Sequence, residues 1–327
     1  MVLFLIILIA SFSLTYLVKV IAKKRLLIDI PNERSSHVTP TPRGGGLAIA
    51  ISWFAGISYL NFTGNMDVNL YYALLSGILI SGISFLDDIY TLKSLPRMII
   101  HAISTLIALN FIGVFNVIDF GFFTVENTII LTILAFIGII WFINLFNFID
   151  GIDGHLSSGM LFITFVLFFF VKDIVLLILA AALLGFLPWN WQKAKIFMGD
   201  IGSTLLGFTM AVLLIYYNNH EQFSIVNGLI ITAVFWFDAT FTLIKRFLNK
   251  ENIGQAHRKH AYQRIVQFGF SHQKTVLIVA LLNFILFGLV YLSIHLEINN
   301  LVVLAIAILL LFSVYKLVDS KKPFKLD

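Results

Sequence analysis

The sequence predicts an all-α, polytopic integral membrane protein with ten or eleven transmembrane helices. Hydrophobic residues make up 59% of the 327-residue chain, charged residues make up only 12%, and Phe alone contributes 33 residues. Water-soluble domains do not have this composition. Apolar runs recur along the whole chain and leave no room for a soluble domain. We therefore expect residues 1–327 to form one membrane domain.

Each predicted helix corresponds to an apolar run close to the length that crosses a bilayer, about 20 residues. The first run has no basic segment before it and no small-residue cleavage site, which favours a retained helix over a signal peptide. Only Lys172 and Asp173 separate the sixth and seventh runs, which predicts a tight hairpin or a partly re-entrant segment. The eleven runs cover roughly residues 2–18, 45–62, 70–86, 96–115, 128–146, 157–171, 174–188, 202–217, 226–244, 275–294 and 300–316.

The distribution of Lys and Arg predicts the topology, since these residues favour cytoplasmic loops. With the N-terminus outside and the spans alternating, 21 of the 22 Lys and Arg fall on the inner side, and only Lys172 lies outside. The C-terminus and the long, polar loops are then cytoplasmic. The net charge of +5 therefore reflects topology and does not indicate a nucleic-acid partner. The absence of Cys excludes thiolate metal sites.

Carboxylates gather at one predicted face of the membrane. Such groups are costly at a bilayer boundary, so a cluster of them indicates a site. Beside basic loops, they are typical of a metal-assisted site for an anionic, phosphorylated substrate. Five acidic residues lie at the cytoplasmic ends of apolar runs: Asp87, Asp88, Asp150, Asp153 and Asp200.

Two acidic segments carry the most information. The adjacent carboxylates of Asp87 and Asp88 repel one another, which suits them to hold Mg²⁺ or to accept a proton. A solvated helix end is the alternative, but acids at a helix C-terminus oppose the helix dipole. Asn144, Asn147 and Asp150 are three residues apart and would lie on roughly one helix face. Oxygen ligands at this spacing suit a hard cation.

Two further carboxylates have plausible structural roles. Asp200 opens the eighth run, where an Asp is ordinarily a helix N-cap. Beside the other acids it is also a candidate metal ligand. Asp238 lies about two turns inside the ninth run, and there pairing with a cation or a polar helix is favoured over catalysis.

The first inner loop, residues 29–46, combines Pro, Arg and a Gly triplet at 44–46. The glycines would let backbone N–H groups approach an anion closely. A basic juxtamembrane linker that touches lipid headgroups is the alternative. The loop is neither a P-loop nor a dinucleotide fingerprint. Its candidate substrate-binding residues are Asn32, Arg34, His37 and Arg43.

A second basic segment, residues 257–264, reads His-Arg-Lys-His-Ala-Tyr-Gln-Arg and is called the basic loop below. Two His and two Arg in eight residues predict an anion clamp, because Arg binds phosphate in a bidentate manner. A zinc site at His257 and His260 is disfavoured, because no third soft ligand lies nearby. The remaining His residues are isolated, and we expect ordinary structural roles for them.

Taken in order, the segments PNERSSH, PTPRGGG, DD…LPR, NLFNFIDGIDG, GDIGS and HRKHAYQR resemble the polyprenyl-phosphate N-acetylhexosamine-1-phosphate transferases, glycosyltransferase family 4. The resemblance extends from about residue 29 to 275. It is closer to the branch that initiates O-antigen and enterobacterial antigen than to the muramyl-pentapeptide translocase. It implies a multi-pass protein of the bacterial inner membrane.

The resemblance also implies a reaction and its residues. A phosphate oxygen of undecaprenyl phosphate attacks the β-phosphorus of a UDP-N-acetylhexosamine, and UMP leaves. Mg²⁺ is the implied cofactor, with Mn²⁺ as a substitute, and a homodimer is common among such enzymes. By position, the implied metal ligands are Asn147 and Asp200; the catalytic residues are Asp87, Asp88, Asp150 and Asp153; and the substrate contacts are Asn144, His257, Arg258 and His260, beside those of the first inner loop.

Two other functions remain open at this stage. A transporter or flippase for an anionic or lipid-linked solute would also have many helices, but it would usually show helix-breaking and polar residues at mid-membrane. A metal-dependent lipid phosphatase would share the acidic ligands and use water as the nucleophile. Neither the identity of the sugar, N-acetylglucosamine or a 6-deoxy relative, nor a one-step or two-step route follows from the sequence.

Overall fold

The computed structural model describes residues 1–24, 27–31, 39–255 and 257–324 and confirms the all-α prediction. Two short antiparallel ladders join β1 (Ile28–Asp29) to β2 (Thr41–Pro42) and β3 (Ile118–Asp119) to β4 (Thr124–Val125). The helices in these ranges are α1 (Val2–Lys24), α2 (Gly46–Phe62), α3 (Val68–Leu75), α4 (Gly77–Tyr90), α5 (Ser94–Ile112), α6 (Thr128–Ile149), α7 (His155–Val171), α8 (Ile174–Asn190), α9 (Asp200–Asn219), α10 (Ile225–Ile231), α11 (Ala233–Leu248), α12 (Ala261–Gln267), α13 (His272–His295) and α14 (Asn300–Lys321).

Every predicted apolar run coincides with a helix or a pair of helices. Seven spans, among them the combined α3–α4, are long and apolar enough to cross a membrane, and the bent pair α10–α11 makes an eighth. Three shorter apolar helices, α2, α7 and α8, account for the remaining runs. α7 and α8 pack against each other across Lys172 and Asp173, which agrees with the predicted tight hairpin.

The third and ninth runs were expected to be continuous helices. The ninth is broken, since the chain bends by 77° between α10 and α11. At this bend the Thr232 hydroxyl donates to the Gly228 carbonyl, 2.8 Å away, in addition to the Thr232 backbone N–H at 3.2 Å. The third run is interrupted only at Ser76, whose hydroxyl bonds to the carbonyls of Ala73 and Ser104, and α3 and α4 together still form one span. Neither position carries Pro, so no strong sequence signal marks it.

The α9 helix lies at the centre of the molecule and packs against α2, α4 and α6. The most apolar stretch of α9 is 94% buried within the protein, although α9 has the lowest mean hydropathy of the seven spans. Small residues permit this close packing, as is common between membrane helices. A Cβ at Gly207 would lie 2.5 Å from the carbonyl oxygen of Phe142 on α6. The first turn of α9 is thereby fixed between the ends of α4 and α6.

Candidate active site

The ends of α4, α6 and α9 bring the predicted acidic residues together on one face of the bundle. The backbone N–H of Asp200 approaches Asp88 Oδ1 at 3.5 Å. Gly199 makes this possible, because a Cβ there would lie 2.7 Å from Asp88 Oδ2. We call Asp87, Asp88, Asp150 and Asp200 the acidic cluster. Its formation agrees with the expectation that these carboxylates share one face.

Arg97, in the first turn of α5, is the cation of this cluster. Its Nη1 donates to Asp87 Oδ2 and lies 3.1 Å from Asp200 Oδ2, so one guanidinium bridges the two carboxylates. Asp87 also accepts from the backbone N–H of Leu92 at 2.6 Å. Sequence reasoning did not assign Arg97 to the site. Its place ten residues after Asp87, at the end of the DD…LPR segment that carries the family resemblance, is the signal that would have indicated it.

Asp200 is not a helix N-cap. Gly199 occupies the cap position, no side chain caps the helix there, and Asp200 is the first residue of α9. The Asp200 carboxylate faces Arg97 and also interacts with the side chain of Asn147. Asn147 Nδ2 donates to Ser203 Oγ at 3.1 Å, which leaves its amide oxygen for another partner. The two predicted metal ligands, Asn147 and Asp200, are therefore neighbours.

Asn144 departs from the predicted polar face. Its Nδ2 donates to the Ile140 carbonyl at 2.7 Å, and its side chain lines an apolar groove between α5, α6 and α11. This groove has a volume of about 570 Å³. Met98, the neighbour of Arg97, lies in its wall, so one end of the groove adjoins the acidic cluster. Its other lining residues include Trp141, Phe148, Leu243, Phe247 and Ile253.

Asp150 lies just beyond the last turn of α6, close to the other carboxylates of the cluster. Burial raises the pKa of the Asp150 carboxyl well above its ordinary value. The negative charges of Asp200, Asp88 and Asp153, in that order, raise this pKa further. The guanidinium groups of Arg97 and Arg43 face four carboxylates, and such an excess of acidic groups is a suitable environment for a metal cation.

Replacing Asp150 with Asn should stabilise the protein while impairing activity. An unfolded Asp ionises near pH 3.9, but the raised pKa opposes ionisation in the folded state, so wild-type stability falls as the pH rises above that value. The variant lacks this penalty, so its advantage in melting temperature should grow between pH 5 and pH 8. Thermal unfolding in detergent with EDTA measures it. The same gain at both pH values, or none, would contradict the assignment.

Asp153 binds neighbouring segments that surround the site. Its Oδ2 accepts from the backbone N–H of Ala194 at 3.1 Å and lies 3.3 Å from His272 Nδ1 at the start of α13. The carboxylate thus ties the segment after α6 to two other segments. This geometry favours a positioning role for Asp153. His272 was expected to be isolated, and its contact with Asp153 was missed because the two residues are 119 positions apart.

Two glycines of the triplet, Gly45 and Gly46, use their backbone donors within the protein, which departs from the predicted approach to an anion. The N–H groups of Gly45 and Gly46 donate to the carbonyls of Phe197 and Met198, at 2.9 and 2.8 Å. The reason for glycine is packing, since a Cβ at Gly46 would lie 2.3 Å from the backbone nitrogen of Gly202. Arg43 does reach the site, where its guanidinium donates to the Asp88 carbonyl. Asn32, Arg34 and His37 lie outside the described residues.

Asp238 anchors the basic loop, as the structural interpretation of this residue predicted. Its two carboxylate oxygens accept from the backbone N–H groups of Ala261 (2.7 Å) and Tyr262 (3.2 Å) at the start of α12. The Tyr262 hydroxyl donates to the Phe148 carbonyl at 2.9 Å, and its ring stacks on His155. α12 is thereby held against the end of α6, beside Asp150.

His257 of the basic loop is less cationic than the sequence suggested. Burial, followed by the positive charges around it, lowers the pKa of His257 to about 3, so this ring is neutral at pH 7. His257 Nδ1 accepts from the Lys259 N–H at 3.2 Å. His260 is 2% exposed and lies 3.8 Å from Asp238. Arg258 is then the most suitable anion contact among the three predicted residues.

Replacing Asp238 with Asn should leave measurable activity. The amide keeps one oxygen acceptor and loses the other, so one of the two bonds to α12 survives. We expect turnover to fall by about ten- to a hundredfold, the range for a supporting residue, and Asp238→Ala to be worse. Complete loss in a folded Asp238→Asn protein would indicate that the carboxylate has a direct chemical role.

The far side of the basic loop rests on the end of α14. Asp319 accepts from Arg264 and, at 2.7 Å, from Lys245 Nζ. The ring of Phe324 lies 4.5 Å from Lys245 Nζ, 5.4 Å from Lys259 Nζ and 5.6 Å from Arg264 Cζ. An aromatic face attracts such cations. α12 is therefore supported from both sides, by Asp238 and by the end of α14.

The sequence of this chain is similar to those of known proteins. Residues 70–218 match the family model described as glycosyl transferase family 4. The chain is 33% identical over 297 residues to the probable undecaprenyl-phosphate N-acetylglucosaminyl 1-phosphate transferase of Bacillus subtilis, covering 86% of this chain and 81% of that protein. It is 28% identical to the decaprenyl-phosphate N-acetylglucosaminephosphotransferase of Mycobacterium leprae, covering 84% and 78%. It is 27% identical to the undecaprenyl-phosphate α-N-acetylglucosaminyl 1-phosphate transferase of Thermotoga maritima, covering 87% and 88%.

Proposed function

Because the chain belongs to glycosyl transferase family 4, the polyprenyl-phosphate N-acetylhexosamine-1-phosphate transferases, we propose that it transfers N-acetylhexosamine 1-phosphate from a UDP-sugar to undecaprenyl phosphate. UMP is the second product. The observation that carries the proposal is an acidic cluster placed between an apolar groove and a basic loop. This arrangement suits a reaction between a membrane lipid and a soluble anionic donor. N-Acetylglucosamine is the first sugar to test, because it appears in the names of the relatives.

The groove beside α5, α6 and α11 suits the acceptor lipid. Its walls are almost wholly apolar, which suits a polyprenyl chain. Arg97 stands where the groove meets the acidic cluster and is the cation nearest to an incoming lipid phosphate. The basic loop then suits the donor diphosphate, with Arg258 as its charged contact.

The residues present fit a magnesium ion. Asn147 and Asp200 offer oxygen donors side by side, and the acidic cluster holds more negative charge than Arg97 neutralises. In the described part of the chain, no three acidic or histidine side chains converge as a ready-made cage. Mg²⁺ commonly binds through one or two carboxylates together with substrate phosphates. When bound, it would neutralise charge on the donor diphosphate and the transferring phosphoryl group.

The chain's own residues can then perform the transfer. Asp87 is held by Arg97 and by the Leu92 N–H, whereas Asp88 Oδ2 is buried without a hydrogen-bond partner among the described residues. We therefore assign Asp88 to accept a proton from the lipid phosphate and Asp87 to hold Arg97. The lipid oxygen forms a bond to the β-phosphorus, and the bond from that phosphorus to the UMP oxygen breaks. Positioning and charge neutralisation supply most of the rate.

UMP release by purified protein tests the proposal. The assay supplies undecaprenyl phosphate, Mg²⁺ and a panel of UDP-N-acetylhexosamines, with and without EDTA. Release that requires both lipid and metal establishes the reaction and identifies the donor. Release of free phosphate from the lipid without a donor would favour a phosphatase. No product from any donor, in folded protein, would argue against the transferase and favour a transporter.

The pathway is a narrower proposal. A polyprenyl-diphosphate sugar made at the inner face of the bacterial inner membrane would start lipopolysaccharide O-antigen or cell-wall polysaccharide synthesis. The identity of the preferred sugar in the panel distinguishes among such products.

A further inference from the structure

A second apolar cavity lies on the other half of the bundle, between α6, α9, α10 and the segment after α5. Its volume is about 220 Å³, and its walls are apolar. Apolar cavities on the order of 150 Å³ stay dry and accept small hydrocarbons. The side chains that line it include Phe115, Leu134, Phe142, Leu214 and Leu229.

Gly138, in the middle of α6, lines this cavity. A Cβ placed there would meet nothing within 4 Å, in contrast to Gly207, where glycine permits close helix packing. Glycine within a helix costs up to about 1 kcal/mol relative to Ala. Packing among the described residues therefore does not require a glycine at position 138. Its small size instead leaves space in the cavity for an occupant.

The acceptor groove continues toward this cavity along one face of α6. Phe148, Asn144 and Trp141 line the groove, and Ile137 and Leu134 follow at the same three- and four-residue spacing, which keeps them on one helix face. Ile137 is 55% exposed and Leu134 is 44% exposed, so the face between the two sites is open. Leu134 also lines the cavity. The track from Phe148 to Leu134 is about 21 Å long at 1.5 Å per residue.

We propose that this cavity binds the distal isoprene units of the acceptor lipid, so that the enzyme favours long polyprenyl phosphates over short ones. The inference rests on the proposed function. A lipid tail gains little hydrophobic free energy when it moves from the bilayer into a protein, since both are apolar. The gain comes from packing contacts in a space that is otherwise unfilled.

The test fills the cavity and compares two acceptors. Gly138→Leu occupies the space, and farnesyl phosphate is an acceptor whose short chain ends before Leu134. The readout is the ratio of kcat/KM for undecaprenyl phosphate to that for farnesyl phosphate, which does not depend on the folded fraction. We expect the ratio to fall by about tenfold, or about 1.4 kcal/mol. Gly288→Leu on α13, another glycine with open space around it, is the matched control and should leave the ratio unchanged.

The outcomes separate this inference from the proposed function. A lower ratio in Gly138→Leu alone supports the cavity as a tail site. An unchanged ratio overturns the tail-site inference, and a phospholipid chain, or nothing, would then fill the cavity. Transfer by the wild type would still support the proposed function. Transfer by the wild type to neither acceptor would remove the proposed function and this inference with it.

Discussion

Replacing Asp200 with Asn is expected to abolish turnover, with a loss of about a thousandfold or more, and to leave a folded protein. The substitution keeps the size of the side chain and removes a negative charge that faces Arg97 and lies beside Asn147. Phosphoryl transfer depends on the arrangement of charge around the transferring group, so this loss should affect kcat strongly. The bond from Thr204 Oγ1 to the Asp200 carbonyl uses the backbone and should survive.

The measurement is UMP release at saturating Mg²⁺, with thermal unfolding as the check on folding. Asp119→Asn is the matched control, since Asp119 is exposed, lies outside the acidic cluster, and uses one oxygen to accept from Gly121, which Asn can replace. Near-normal activity of Asp200→Asn would exclude Asp200 as a metal ligand.

Replacing Arg97 with Ala should lower kcat/KM by about a hundredfold or more, the scale for loss of one charge-stabilising group. Without the guanidinium, Asp87 and Asp200 face each other uncompensated. Two like charges left together repel, so the carboxylates should lose the arrangement that holds a cation and accepts a proton. UMP release at saturating Mg²⁺ measures the loss.

Lys93→Ala is the control for Arg97, because Lys93 is an exposed cation four residues earlier and, in the described part of the chain, makes no ion pair with the acidic cluster. Arg97→Lys should recover only part of the activity, since an ammonium group lacks the planar fork that reaches two carboxylates. If Lys93→Ala and Arg97→Ala behave alike, the effect belongs to general surface charge and not to the bridge.

Much of the fold followed from composition and run length, because a bilayer demands apolar segments of a given length. The bend at Thr232 did not, since no Pro marks it and only a hydroxyl bonded to a local carbonyl accompanies it. The apolar groove was not locatable from sequence either, because residues of α5, α6 and α11 that are far apart in the chain line it together.

The acidic cluster was predicted because like charges at one membrane face are costly and conspicuous. Its cation was missed, since Arg97 looks like any inner-loop residue until α5 is packed beside α4 and α9. The packing role of Gly45 and Gly46 was not predicted, for a related reason. Glycine permits both anion binding and close packing, and only the partner segment at Phe197 and Met198 decides between them.

The support of the basic loop by α14 has a consequence for how the protein is made. Asp319 follows its partner Arg264 by 55 positions, so the loop leaves the ribosome well before its support does. A nascent chain can insert α4, α6 and α9 and assemble the acidic cluster while the basic loop still lacks one of its two walls. The basic loop then takes its final position only after α14 has been made, so a chain that stops before α14 would carry the acidic cluster without a fully supported basic loop.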